Sequence, residues 1–415
     1  MAERILIVED NKTLAKLIAK KISAELDFEV DVAYTLSETK LFLSRYTYFL
    51  TLLDLNLPDA PNGEVVDYVI EKKNHVLVLS GNIDKDFRNK ILKKNIIDYI
   101  NKSGVNDVNY IIQMIKRVHK NQNHKILVVD DSIVFRKQMQ GMLENMFFKV
   151  ITVAHGEEAL GMLNANPDIS LVLTDYHMPV LNGLELTYEI RKNYSKNDLP
   201  IITISSDNDE ETTALFLKNG ANDYIKKPFS KEEFSCRINN SIEALENIHA
   251  ITHHANRDFL TGLYNRRYFF TNASKYFDSI QNSAESFAIA MIDIDHFKNI
   301  NDDYGHDMGD KAIVNLADIL RVTISKDDIV ARFGGEEFCI LLKNISPQSA
   351  IDICERIRKA IENSVTISET SAEVRYTISI GLTTTTEATL QDTINEADMF
   401  LYTAKQSGRN QVIHN

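Results

Sequence analysis

The chain repeats itself. Arg4-Ile5-Leu6-Ile7-Val8-Glu9-Asp10-Asn11 returns 121 residues later as Lys125-Ile126-Leu127-Val128-Val129-Asp130-Asp131-Ser132. The same offset carries Leu52-Leu53-Asp54 onto Leu173-Thr174-Asp175. It becomes 125 where Ser80 meets Ser205 and Lys102 meets Lys227. The added residues fall in the polar loop around Lys196-Asn197-Asp198, where insertion is cheap. A period this long marks a duplicated domain, not a solenoid.

Each copy alternates two patterns. Short unbroken apolar runs (Ile5 to Val8, Val76 to Leu79, Ile126 to Val129, Leu171 to Leu173, Ile201 to Ile204) suit strands buried on both faces of a parallel sheet. Between them lie helical spacings such as Leu14, Leu17, Ile18 and Ile22. The reading is a doubly wound α/β unit, whose functional groups gather at the carboxyl ends of the strands. Glu9, Asp10, Asp54, Ser80 and Lys102 fall there, as do their counterparts. With 415 residues there is room for a third domain. No Pro or Gly interrupts Ser230 to Thr261, and Ile238, Ile242, Leu245 and Ile248 keep a helical stripe, so a continuous helix is expected to lead into it. The expected organisation is 1–121 and 122–245 for the copies, 246–257 for a helical connector and 258–415 for the last domain.

Composition narrows the partners. Lys and Arg number 46 against 59 Asp and Glu, a formal net charge of -13, which argues against a nucleic-acid-binding body. The three cysteines form no CxxC pair, so neither a disulfide framework nor a structural zinc site is expected. The first ten residues read as a strand ending in two acids rather than as a signal peptide. No apolar run approaches the roughly 18 residues that span a bilayer. A cytoplasmic protein without membrane contact is the expectation.

Three carboxylates and a lysine at one sheet edge are costly unless something pairs them, because one ammonium cannot balance three like charges. Clustered acids make a hard-oxygen site of the kind Mg²⁺ prefers. Such a cation would let an aspartate attack a phosphoryl group, with the lysine and a hydroxyl holding the new phosphate oxygens. One acid alone would be a solvated strand end; five matching positions in two copies are not explained that way. Both units resemble response-regulator receiver domains, which accept a phosphoryl group from a histidine kinase or phosphotransfer protein. The resemblance implies Asp54 and Asp175 as phosphoacceptors. Glu9, Asp10, Asp130 and Asp131 join them as Mg²⁺ ligands. Ser80, Ser205, Lys102, Lys227, Tyr99 and Tyr224 become the switch residues. The second copy fits more fully, with Asp175-Tyr176-His177-Met178-Pro179, Gly183 and Lys227-Pro228-Phe229. The first has Glu9 for one acid, Gly63 one residue late, and Ser103 where the family has proline.

In the last domain Arg332-Phe333-Gly334-Gly335-Glu336-Glu337-Phe338 puts a Gly-Gly pair between apolar strand patterns, a hairpin signal. Met291-Ile292-Asp293-Ile294-Asp295 ends another apolar run with two acids. If those strands are neighbours, Asp293 and Glu336 converge, an arrangement suited to metal-bound phosphates. Lys405 and Arg409 share a face if a helix persists that far. With Asp258-Phe259-Leu260-Thr261-Gly262-Leu263-Tyr264-Asn265-Arg266-Arg267, the Asn301 to Asp310 stretch and Ala404-Lys405-Gln406-Ser407-Gly408-Arg409-Asn410, the segment resembles the GGDEF family of diguanylate cyclases.

That resemblance implies an α/β, cyclase palm-like domain following two doubly wound (βα)5 receiver domains. It implies Asp293, Ile294 (by its carbonyl) and Glu336 as Mg²⁺ ligands, and Asp293, Glu336 and Glu337 as catalytic. Asn301 and Asp310 would read guanine, while Lys298, Lys405 and Arg409 bind the phosphates of GTP. Two such domains would face each other in a homodimer and make cyclic di-GMP with release of pyrophosphate. Ser325-Lys326-Asp327-Asp328 lacks the arginine of the family's Arg-x-x-Asp inhibition motif, so weak product inhibition is expected. The second copy, joined directly to the connector, is expected to control output. Two alternatives stay open: a non-enzymatic module that binds GTP or cyclic di-GMP, and a phosphate sink in one receiver.

Overall fold

The computed structural model describes every residue except 1–2, 82–84, 102–104, 207–209, 281–285, 368–372 and 386–387. The chain divides into two compact units, Met1–Ile248 and His249–Asn415.

The first unit holds both copies. In the first, the order is β1 (Glu3–Val8), α1 (Lys12–Glu25), β2 (Phe28–Ala33), α2 (Leu36–Arg45), β3 (Leu50–Asp54), α3 (Glu64–Glu71), β4 (Val76–Ser80), α4 (Lys85–Leu92), β5 (Asp98–Asn101) and α5 (Val105–Asn121). In the second it is β6 (Lys125–Val129), α6 (Ile133–Asn145), β7 (Lys149–Val153), α7 (Gly156–Ala165), β8 (Ile169–Asp175), α8 (Gly183–Arg191), β9 (Ile201–Ser205), α9 (Glu210–Lys218), β10 (Asp223–Lys226) and α10 (Lys231–Asn256). The two parallel sheets have equivalent orders, β2-β1-β3-β4-β5 and β7-β6-β8-β9-β10. β1, β3 and β4 bury both faces, as their unbroken apolar runs require. On α1 the buried stripe is Ala15, Ile18 and Ile22, while Leu17 faces water.

The two glycines near the strand ends do different work. Gly183 opens α8, where a Cβ would lie 2.1 Å from the Asp175 carbonyl oxygen, so only glycine lets the helix close on that strand. Gly63, one residue late in the other copy, instead takes a left-handed φ of 76° and caps α3. The copies meet through Phe147, whose ring lies 4.4 Å from Phe49 and 4.0 Å from His75. Asn145 Nδ2 donates to the Ile96 carbonyl at 2.7 Å beside them.

The second unit continues with β11 (Tyr264–Asn265), α11 (Arg266–Ile280), β12 (Phe287–Ile294), α12 (Phe297–Tyr304), α13 (His306–Thr323), β13 (Ile329–Gly334), β14 (Glu337–Lys343), α14 (Pro347–Glu362), β15 (Thr366–Ile367), β16 (Glu373–Val374), β17 (Ile378–Thr383), α15 (Leu390–Gln406) and β18 (Val412–His414). Its main sheet runs β11-β13-β14-β12-β17-β18, with β12 antiparallel to both neighbours. β12 is buried along its whole length between two apolar clusters, one on each face. Gly381 in β17 brings α15 against the sheet: a Cβ there would sit 2.1 Å from the Ala397 carbonyl oxygen. This close contact fixes the helix that ends beside β12. Among the described residues no helix is long and apolar enough to cross a membrane.

Candidate functional site

Antiparallel pairing of β12 with β14 sets Asp293 opposite Glu337. Glu336 occupies the turn between β13 and β14, after Gly335 at a left-handed φ of 51°, which glycine adopts without strain. β12 and β14 are neighbours, as the convergence of Asp293 with Glu336 required, but the residue directly opposite Asp293 is Glu337, with Glu336 next to it in the turn. Lys405, in the last turn of α15, puts Nζ 2.8 Å from Asp293 Oδ2. Burial pushes the Asp293 carboxyl up to about 6, against the pull of Lys405 and with further upward push from Glu336 and Glu337. One ammonium does not offset that burial and crowding, and a divalent cation suits such a donor set. Ile294 is the last residue of β12, with its side chain in the core.

Asp295, the other acid of that motif, has a different fate. It accepts Ser379 Oγ at 2.6 Å, Thr377 Oγ1 at 2.7 Å and the Asn410 amide at 3.0 Å. It ties β12 to β17 and to the chain after α15. Its oxygens are engaged internally, and apart from the motif resemblance, which chose Asp293, residue type and position do not distinguish the two acids.

Asn301 lies on α12 and Asp310 on α13. Gly309 stands between them: a Cβ there would be 2.0 Å from Asn301 Oδ1. The bare backbone thus lets α13 reach the Asn301 amide. Asp310 and Lys298 are exposed, and Asn301 is half-buried. α12 follows His296 at a left-handed φ of 55°.

Lys405 and Arg409 do not share a helical face. α15 stops at Gln406, Gly408 takes a φ of 113°, and the Arg409 amide donates to the Ala404 carbonyl at 3.0 Å. That is a Schellman-type end, which turns Arg409 off the helix into the exposed loop.

Arg332 and Asp258 lie inside the two motifs, where the motif pattern alone assigns them no role. Arg332 donates Nε to the Gly335 carbonyl at 2.9 Å and its terminal nitrogen to the Asp258 carboxylate at 3.0 and 3.2 Å. Asp258 also accepts from the Thr261 amide and hydroxyl. These bonds, led by those from Thr261, hold its carboxyl below the ordinary range despite partial burial. A single guanidinium thus joins the first turn of the domain to the turn that carries Glu336.

In the first copy, carboxylate oxygens of Glu9, Asp10 and Asp54 lie within 4.8 Å of one another. The Ser80 hydroxyl is fully buried and has no hydrogen-bond partner among the described residues. An acidic triad fits a hard cation, and an orphaned hydroxyl fits an incoming phosphoryl oxygen. Tyr99 donates its hydroxyl to the Gly81 carbonyl at 3.2 Å. Lys102 lies outside the described residues.

In the second copy Lys227 Nζ sits between two acids, 2.5 Å from Asp175 Oδ1 and 3.0 Å from Asp130 Oδ2. It also stands 3.9 Å from the Phe135 ring centroid. Asp131 is exposed, and these three acids are not gathered as closely as those of the first copy. Burial pushes the Asp175 carboxyl up and Asp130 adds to it, while Lys227 draws it down. Ser205 is fully buried, and Tyr224 packs near Phe216 with centroids 6.3 Å apart. The Lys227–Pro228 peptide is cis.

Comparison with known proteins agrees with both halves. The family described as response regulator receiver domain matches residues 5–116 and 126–239. The family described as diguanylate cyclase, GGDEF domain, matches residues 255–411. The response regulator PleD of Caulobacter vibrioides is 25% identical over 459 aligned residues, covering 100% of this chain and 99% of PleD. Diguanylate cyclase A of Treponema denticola is 36% identical over 199 residues, 45% of this chain and 53% of that protein. A crystal structure of a two-component system response regulator/GGDEF domain protein superposes with a TM-score of 0.53 at 36% identity, covering 59% of this chain and 99% of the other.

Proposed function

Because the chain belongs to the response-regulator receiver family and carries a C-terminal GGDEF domain, it is a diguanylate cyclase, and we propose that it condenses two molecules of GTP into cyclic di-GMP with release of two diphosphates. Each of two copies holds one GTP. The 3′-hydroxyl oxygen of one attacks the α-phosphorus of the other, the bond to the β-phosphate breaks, and diphosphate leaves. The same exchange in the opposite sense closes the ring. A homodimer with the two sites face to face supplies that geometry.

In this reading Asp293, Glu336 and the Ile294 carbonyl hold Mg²⁺, which when bound neutralises triphosphate charge. Glu337, exposed at the start of β14, takes the 3′-hydroxyl proton. Lys405, Arg409 and Lys298 bind phosphates, and Asn301 with Asp310 bonds the guanine edge. Positioning and charge neutralisation are the protein's share of the rate. The observation that carries the reading is the buried Asp293 carboxyl, held at about 6 beside two further acids with one lysine in contact.

Upstream, Asp54 and Asp175 accept phosphoryl groups from a histidine kinase or phosphotransfer protein, with Mg²⁺ held by Glu9, Asp10 and Asp54 and by Asp130, Asp131 and Asp175. Phosphorylation then sets the dimer and the cyclase rate. The test is product formation by the full chain from GTP and Mg²⁺, with and without beryllofluoride as phosphoryl mimic. Cyclic di-GMP that rises with beryllofluoride supports both parts. GTP binding without product leaves a binding module.

A further inference from the structure

The connector helix α10 begins in the second receiver, yet within the first unit much of its polar contact is with the first. A cleft of 810 Å³ separates it from α4, β5 and α5. Around that cleft receiver 1 grips the helix in three places. Lys231 donates to the Ile96 carbonyl just before β5. Glu246 receives two bonds from Arg117 of α5, at 2.8 and 3.0 Å, and lies 2.8 Å from His124 Nε2. Both are sheltered, the first a single bond and the second a group of several. The third is different. Arg88 of α4 pairs with Glu232 at 2.7 Å, and both side chains are nearly half exposed.

Arg88 has a second contact. Its guanidinium carbon stands 5.4 Å over the ring of Tyr99. Tyr99 in turn bonds the carbonyl of Gly81, the residue after the orphaned Ser80 hydroxyl. Between the grips, Ser235 Oγ and Asn239 Oδ1 on α10 have no hydrogen-bond partner among the described residues. The middle of the helix is therefore not pinned by those groups.

We propose that receiver 1 is read out directly by α10 through the relay Tyr99–Arg88–Glu232, so that the state of Asp54 sets the helix independently of Asp175. An exposed single ion pair is easily exchanged. A cation–ring contact exists only while the ring stays beneath the cation. Displacement of Tyr99 therefore changes the Arg88–Glu232 link while the Lys231 and Glu246 anchors persist. The proposal rests on Asp54 as phosphoacceptor, not on cyclase activity.

Cys236, one turn beyond Glu232, is exposed, whereas Cys339 and Cys354 are buried, so a thiol fluorophore reports α10 at a single native position. Beryllofluoride with Mg²⁺ is expected to change its emission in the wild type and in Asp175→Asn, but not in Asp54→Asn. Arg88→Met and Glu232→Gln should reduce the response at least about threefold, and Arg88→Lys should keep it. A wild-type response in Arg88→Met, or its loss in Arg88→Lys as well, overturns the relay. Fluorine NMR separates the layers. Beryllofluoride bound at Asp54 without a Cys236 response overturns the relay alone. No bound signal in Asp175→Asn overturns the acceptor reading and the relay with it.

Discussion

Lys405 Nζ stands 2.8 Å from Asp293 Oδ2, and the carboxyl is nevertheless pushed up to about 6. Burial and the neighbouring Glu336 and Glu337 outweigh one ammonium. The site is therefore unfavourable as a fully ionised set until more positive charge arrives.

A pH dependence follows. The folded-state pKa of Asp293 lies above the ordinary carboxylate value of about 3.9, so the fold favours the protonated form. Its contribution to stability is present at low pH and is lost as pH rises through about 6. Without divalent cation, Asp293→Asn should gain in melting temperature relative to the wild type between pH 4.5 and 7.5, and Mg²⁺ should shrink that gain. A difference flat across that range, measured by thermal melting, would count against the assignment.

Gly309→Ala should damage substrate recognition. The new methyl group would lie 2.0 Å from Asn301 Oδ1, so the amide or the helix must move. A rise in KM for GTP of about tenfold, near 1.4 kcal/mol, is expected from loss of one polar contact to the base. Steady-state kinetics and GTP titration read it; an unchanged KM rejects the role given to Asn301.

Arg332→Met leaves the half-buried Asp258 without its cation and frees the Gly335 carbonyl. Charge-assisted bonds contribute about 1.5–3 kcal/mol, so a loss of stability of that order is expected. Displacing Glu336 should also lower kcat more than it raises KM. A destabilised variant with normal kcat would confine the pair to folding.

Feedback by product should be weak. Asp328 accepts the Lys343 amide at 2.8 Å, and burial raises its carboxyl pKa, so it serves the strand end. Ser325 is exposed and cannot replace a guanidinium. Ser325→Arg should tighten inhibition by added cyclic di-GMP, read from initial rates. Tight inhibition of the wild type that Asp328→Ala abolishes would reverse this reading.

Much of this was legible in the residues because it depends on local pattern. A strand buried on both faces must be apolar throughout, so β1, β4, β6, β9 and β12 were visible as unbroken runs. The signature turn needs a positive φ, so Gly335 marked it. Duplication exposed the two acidic pockets, since five polar positions recurring at nearly fixed offset have no packing explanation.

Other assignments depend on which distant group arrives first. Asp293 and Asp295 stand two residues apart in one motif. One keeps a lysine and two acids for company; the other is taken up by Ser379, Thr377 and Asn410. Lys405 and Arg409 looked like one helical face until the left-handed Gly408 ended the helix. Arg88 was an unremarked basic residue, and its two contacts bring together β5 and α10, far apart along the chain. The sequence by itself determined the repeat, the strands, the chemical inventory and the family, because periodicity and motif spacing are local. Only the tertiary structure decided which acid is strained, which arginine braces the turn and that the first receiver also contacts α10, because burial and long-range pairing exist only once the chain has folded.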